Sequence, residues 1–134
     1  MTNFLLDTNT CVEVLRNRNA GVVARFRSCI ASELRLCSIV VAELTYGAYK
    51  SQRPAHNLSL VATFSSPLIS LPFDNDSADL YGQIRVDLEA RGIPIGPNDT
   101  MIAAIALQHD LTVVTHNTTE FARVSNLKLE DWHI

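Results

Sequence analysis

"FLLDTNT", residues 4–10, places an acid at the tip of a short apolar run and follows it with three small polar residues. The run Phe4–Leu6 reads as a buried strand, and Asp7, Thr8, Asn9 and Thr10 are residue types that accept hydrogen bonds from the free N–H groups of a helix start. The helical pattern "TCVEVLRNR" follows at once. A strand therefore passes directly into a helix, with Asp7 at the junction. Capping explains Asp7 taken alone; a further role depends on whether other acids arrive in the same way.

The strand-to-helix unit recurs along the chain. After a second helix, "AGVVARFRSCIAS", the run "LRLCSIV" (34–40) reads as a strand entering the helix "VAELTYGAYKS". Pro54 suits the first turn of "PAHNLSLVATFSS", because its missing N–H is free there anyway. "LISLPF" is a third strand, closed by Asp74, Asn75 and Asp76 ahead of the helix "SADLYGQIRVDLEARG", which Gly92 stops. "IPIGPN" is a loop, and "DTMIAAIALQH" is apolar almost all round, as a buried helix is. "LTVVT" is a fourth strand and "LKLEDW" a short edge strand. Such alternation predicts an α/β fold with a short parallel sheet sandwiched by helices, α/β/α, as one domain over residues 1–134.

Bulk properties narrow the function. With 47% apolar and 19% charged residues, the composition is that of a globular chain able to bury a core. No apolar run reaches the roughly 18 residues of a membrane span, and "MTNFLLDTNT" lacks the basic lead and cleavage site of a secretory signal. A cytoplasmic protein without membrane contact is expected. Cys11, Cys29 and Cys37 are odd in number and form no C-x-x-C pair, so they read as buried thiols. The histidines at 56, 109, 116 and 133 offer no pair on one helix face, so a metal here is expected to prefer oxygen. The net charge of −3 gives the whole chain no pull on nucleic acid. Arg16, Arg18, Arg25, Arg27 and Arg35 nevertheless crowd one stretch, which allows either a basic face on an acidic protein or simply a solvated helix surface.

Carboxyl groups recur where strands end. Glu43 sits in the helix after the second strand, within the apolar and small-residue stretch "SIVVAELTYGA"; Asp99 opens an apolar helix; the fourth strand runs into "HNTTEF", with Asn117 and Glu120. In a parallel sheet the carboxyl ends of the strands share one edge, where ligands bind. Two carboxylates about 4 Å apart repel by roughly 4 kcal/mol at an effective dielectric of 20, so a cluster calls for a cation or for protonation. Magnesium, which takes oxygen ligands, answers that need. Plainer accounts stand beside this one: Asp99 as a first-turn acid, Glu120 as part of a capping box.

These residues resemble PIN-domain ribonucleases of the VapC toxin type, the toxin half of bacterial type II toxin–antitoxin pairs. The likeness runs through "LLDTN", "VAELTYGAYKSQ", "QIRVDLEARGIPIGPNDTMIAAIAL", "TVVTHNTTEF" and "LKLEDW". It implies that Asp7, Glu43 and Asp99 are acidic ligands of Mg²⁺ or Mn²⁺, while the fourth place falls either on Asn117, where some members carry Asp and whose amide oxygen could serve, or on Glu120 three residues on, which supplies a carboxylate. Thr8, Asn9, Asn117, Ser38 and Thr115 are expected to support the acids. The resemblance further implies metal-activated water attacking an RNA phosphodiester, leaving 5′-phosphate and 3′-hydroxyl ends. The expected substrate is structured RNA, tRNA first, steered by Arg16, Arg18, Arg25, Arg27, Lys50 or Arg85. A homodimer, a VapB-like antitoxin and operator DNA for the toxin–antitoxin complex complete the expected partners. Two alternatives remain at this point: a non-catalytic RNA-binding PIN-like module, and a haloacid-dehalogenase-type phosphatase, whose D-x-D-x-T opening "DTNT" resembles except for Asn9.

Overall fold

The computed structural model describes residues 2–134. β1 (Phe4–Leu6) leads into α1 (Thr8–Arg16) and α2 (Ala20–Ser28); a 3-10 turn at Ala31–Glu33 precedes β2 (Leu34–Cys37), α3 (Ser38–Lys50) and α4 (Pro54–Ser65). β3 (Ile69–Leu71), α5 (Asn75–Ala90), α6 (Pro97–Gln108), β4 (Thr112–Val114), α7 (Thr118–Phe121) and β5 (Lys128–Glu130) follow. The strands form one sheet in the order β3-β2-β1-β4-β5, and every neighbouring pair is parallel. Helices flank it, with α3 packed on α4 and α5 on α6. The α/β expectation is met.

The order of the strands locates the site. The chain moves outward from β1 to β2 to β3, then returns across β1 to add β4 and β5 on the other side. The connections diverge between β1 and β4, which opens a crevice at their carboxyl ends. β1 and β4 are buried throughout, as central parallel strands covered on both faces must be. Leu5, Leu36, Ile105, Val113 and Phe121 meet in the core around them.

Several boundaries differ from the sequence expectation, each for a local reason. β2 ends at Cys37 and Ser38–Val40 are helical; an apolar run cannot by itself reveal where a buried strand becomes a buried helix. α2 stops at Ser28, because Cys29 and Ile30 turn extended before the 3-10 turn. α6 begins at Pro97, so Asn98 lies inside the helix and does not cap it. Gly92 closes α5 as expected, at φ +71°, a conformation that costs glycine little. Cys11 and Cys37 are buried while Cys29 is only partly covered.

Candidate functional site

Asp7 follows β1 directly, and its backbone N–H donates to the Val114 carbonyl at 3.1 Å, fastening the end of β1 to β4. The residue is 5% exposed. One carboxylate oxygen accepts from Thr10 N–H at 2.8 Å, so Asp7 does cap α1. Burial nevertheless pushes its carboxyl above the usual range, against the opposing pull of the Thr115 hydroxyl, Thr10 and the His133 charge. Capping and placement in the crevice are thus one position serving two ends.

Glu43 lies in the second turn of α3, half-buried, and accepts a hydrogen bond from Thr8 Oγ1 at 2.6 Å. Asp99 sits in the first turn of α6. Its carboxyl is pushed up to about 6, first by burial and then by the charges of Asp7, Glu43 and Glu120. That mutual influence gathers acids from four separate segments into one electrostatic site. Glu120, in α7, accepts from Asn117 Nδ2 at 3.0 Å. Asn117 N–H in turn donates to Thr115 Oγ1 at 2.9 Å. A polar chain therefore runs from Asp7 through Thr115 and Asn117 to Glu120.

Among the described residues, none of these four acids has an ion-pair partner. Nor do any three of them bring their oxygens within 4.8 Å of one another. The acids therefore share a field without forming a three-oxygen cluster among the described residues.

The remaining expected site residues divide. Thr8, Thr115 and Asn117 each contact one of the acids or the chain that joins them. Ser38 Oγ instead accepts from Phe73 N–H at 3.1 Å, holding the β3–α5 loop, and Asn9 is exposed. Arg16 lines a groove of about 180 Å³ with Thr8 and Glu43, beside the apolar Leu15, Leu44 and Val61. Arg18, Arg25 and Arg85 are engaged with Glu13, Glu130 and Glu89. Arg27 and Lys50 have no ion pair among the described residues, although Lys50 Nζ lies 5.7 Å from the Tyr46 ring.

Two features escaped the sequence reading. Thr10 is buried, and its hydroxyl donates to the Val114 carbonyl at 3.1 Å, bracing the junction that holds Asp7; its place in "DTNT" was the available signal. The second is a cluster that no helix face would reveal. His116 and His133 come together around Asp131, because the parallel pairing of β4 with β5 carries the segments after them to one place.

Comparison with known proteins agrees with this architecture. The PIN domain family matches residues 4–127. The chain is 42% identical over 134 residues to the tRNA(fMet)-specific endonuclease VapC of Shigella flexneri, covering 98% of this chain and 99% of that one. It is 38% identical over 132 residues to ribonuclease VapC2 of Haemophilus influenzae, with 98% and 99% covered. Among solved structures, DNA-bound VapBC from Salmonella typhimurium superposes with a TM-score of 0.91 at 42% identity, covering 98% of this chain and 99% of that one. VapBC2 from Rickettsia felis, bound to a promoter DNA fragment, gives 0.89 at 35% identity, with 98% and 99% covered. The chain belongs to the PIN-domain family and, within it, to the VapC ribonucleases, the toxins of VapBC toxin–antitoxin systems. This membership sets aside the phosphatase alternative.

Proposed function

We propose that residues 1–134 form one PIN domain acting as an endoribonuclease dependent on Mg²⁺ or Mn²⁺, in which Asp7, Glu43 and Asp99 hold the ion and Glu120 supplies the fourth carboxylate. One observation carries this reading. Asp99 is pushed up to about 6 by burial and by three acids from three other segments, and none of the four acids has an ion-pair partner among the described residues. An all-oxygen, negative and partly buried donor set suits a hard dication. The residues present therefore fit the divalent ion on which PIN-domain nucleases generally depend. When bound, such an ion supplies Lewis-acid charge for a phosphoryl oxygen and makes water more acidic.

The chain's own side chains do the positioning. Thr10 and Thr115 orient Asp7, Thr8 aims Glu43, and Asn117 aims Glu120. Arg16 sits beside Glu43 and would draw an RNA phosphate toward the acids. Arg27 and Lys50, which have no ion pair among the described residues, are further candidates for phosphate contact, while Arg18, Arg25 and Arg85 would exchange exposed ion pairs, which are weak, for phosphate. Water attack leaves 5′-phosphate and 3′-hydroxyl ends, with no part for the 2′-hydroxyl.

The substrate reading is tRNA, supported by 42% identity to relatives named for tRNA(fMet). Single-stranded loops are where protein side chains reach RNA bases. The solved relatives support a VapB-like antitoxin as partner and operator DNA as the target of the complex. We extend the reading to a homodimer working in the cytoplasm; no helix among the described residues is long and apolar enough to cross a membrane.

Cleavage of total tRNA tests the reading, with Mn²⁺, with EDTA, and with Asp7→Asn or Asp99→Asn in place of the native chain. Asn at position 7 keeps a capping oxygen, so lost activity there reports on the charge. The expected result is one tRNA cut only by the native chain with metal, with 5′-phosphate mapped at the new end. Equal cleavage in all samples would overturn it.

A further inference from the structure

His116, Asp131 and His133 form a cluster whose ligand atoms all lie within 4.8 Å of one another. His116 Nδ1 is 2.9 Å from one Asp131 oxygen, and His133 Nδ1 is 3.3 Å from the other. The imidazoles stack with centroids 4.1 Å apart and planes 25° from parallel. We propose that these three side chains, which share no ligand with the four-acid crevice, are a binding site for a borderline first-row dication of the Zn²⁺ class. The cluster borders that crevice, since the His133 charge reaches Asp7.

Local structure explains why the three side chains converge. Val114 is paired with Glu130 and Thr115 N–H donates to the Glu130 carbonyl, so the segments continue side by side past the strand ends. Trp132 is 3% exposed, stacked edge-on against Phe4 and covered by the Arg25 guanidinium. In extended chain, alternate side chains point to opposite faces, and the burial of Trp132 puts Asp131 and His133 together on the other side. Asn19 then ties down the end of the segment, accepting from Ile134 N–H at 3.3 Å and donating to its carbonyl at 3.2 Å.

The chemistry selects the ion. Zinc–nitrogen and zinc–oxygen bonds of about 2.0–2.1 Å in a tetrahedron place neighbouring ligand atoms about 3.3 Å apart, which a small adjustment of side chains whose ligand atoms already lie within 4.8 Å would reach. Two imidazoles with one carboxylate favour Zn²⁺, Ni²⁺ or Co²⁺ over Mg²⁺, which prefers oxygen alone. His133 N–H also donates to Asp131 Oδ1 at 3.0 Å, which fixes the carboxylate's orientation. Burial opposes the Asp131 charge, but that N–H and the two imidazoles outweigh it and hold the carboxyl below its ordinary range. An ion bound there would staple the segment 131–134 to the loop that carries Asn117.

Trp132 is the chain's single tryptophan, so it reports on the site directly. The experiment titrates tag-free protein with Ni²⁺ for tryptophan quenching and with Co²⁺ for visible absorption, then displaces each with Zn²⁺. Three chains are compared: native, His116→Ala, and Glu43→Gln/Asp99→Asn. The crevice variant is expected to bind one equivalent at the histidine site, and the native chain that same equivalent besides any ion its acids hold, with quenching reversed by Zn²⁺ in both. His116→Ala is expected to bind at least about tenfold more weakly, since losing even a supporting partner of a ligand costs 10–100-fold. Imidazole proton shifts in the native chain on adding Zn²⁺ give a readout independent of any variant. Unmoved imidazole signals, or a cobalt spectrum that His116→Ala leaves intact, would overturn the site; so would binding abolished in Glu43→Gln/Asp99→Asn alone.

Discussion

Thr8 Oγ1 donates to Glu43 Oε1 at 2.6 Å, joining the first residue of α1 to the second turn of α3 across 35 residues of sequence. Hydrogen bonds to charged groups contribute about 1.5–3 kcal/mol, so this bond restrains the one acid of the four that a helix interior supplies. Thr8→Val removes the donor and keeps the shape. It should lower RNA cleavage about tenfold, with little change in circular dichroism, and Thr8→Ser should restore most of the loss. Unchanged cleavage by Thr8→Val would show that Glu43 needs no such restraint.

Asp99 ionises near 3.8 in the unfolded chain and at about 6 in the fold. Between those values the folded protein holds more protons, so its stability is full below the lower value and is lost as pH rises through the upper one. Asp7 is shifted in the same direction. The ion-free melting temperature should therefore fall between pH 4.5 and pH 7. Asp99→Asn should flatten that fall and raise the melting temperature at pH 7 by about 3 °C, while abolishing cleavage. Mn²⁺ should restore native stability at pH 7 and leave Asp99→Asn largely unmoved. Melts in EDTA and in Mn²⁺ at the two pH values check both halves.

The Asn117 amide donates to Glu120, which couples the two residues geometrically. A double-mutant cycle with Asn117→Ala and Glu120→Gln reads this directly. Each single change should reduce cleavage, and the double change should cost little more than Glu120→Gln alone, because the amide works through the carboxylate. Full additivity of the two losses would assign Asn117 a contact of its own with RNA or metal.

Gly21 supports the far end of the chain. A Cβ there would stand 2.6 Å from the Trp132 carbonyl oxygen and 2.7 Å from Ile134 Cγ2. The oxygen belongs to backbone and cannot step aside, so Gly21→Ala should destabilise by about 1–3 kcal/mol, as overpacking does. Gly47→Ala is the control, since nothing lies within 4 Å of its added carbon. Chemical denaturation of both variants decides.

The three principal acids were legible in the sequence because each occupies a position that the α/β rule places at one sheet edge: after β1, in the helix after β2, and at the start of a buried helix. Glu43 was the plainest, a charge in an apolar stretch with no local reason to be there. Where strands turn into helices was less legible, and Ser38 shows why. It lies in a continuous apolar run whose periodicity is the same for a buried strand and a buried helix, and it serves Phe73 rather than the acids. The histidine pair was hidden for a different reason. His116 and His133 share no helix face, and only the register of β4 on β5 brings them together.

That β1 lies between β2 and β4 governs when the enzyme can first be dangerous to its maker. A strand made among the first residues waits for a neighbour made more than a hundred residues later, and such distant pairings are slow to form. Asp7 gains its backbone anchor only when Val114 arrives, and Glu120 is synthesised later still. A nascent chain on the ribosome therefore carries an unfinished blade, which closes only once Val114 and Glu120 have emerged and leaves an interval in which an inhibitor can already be waiting.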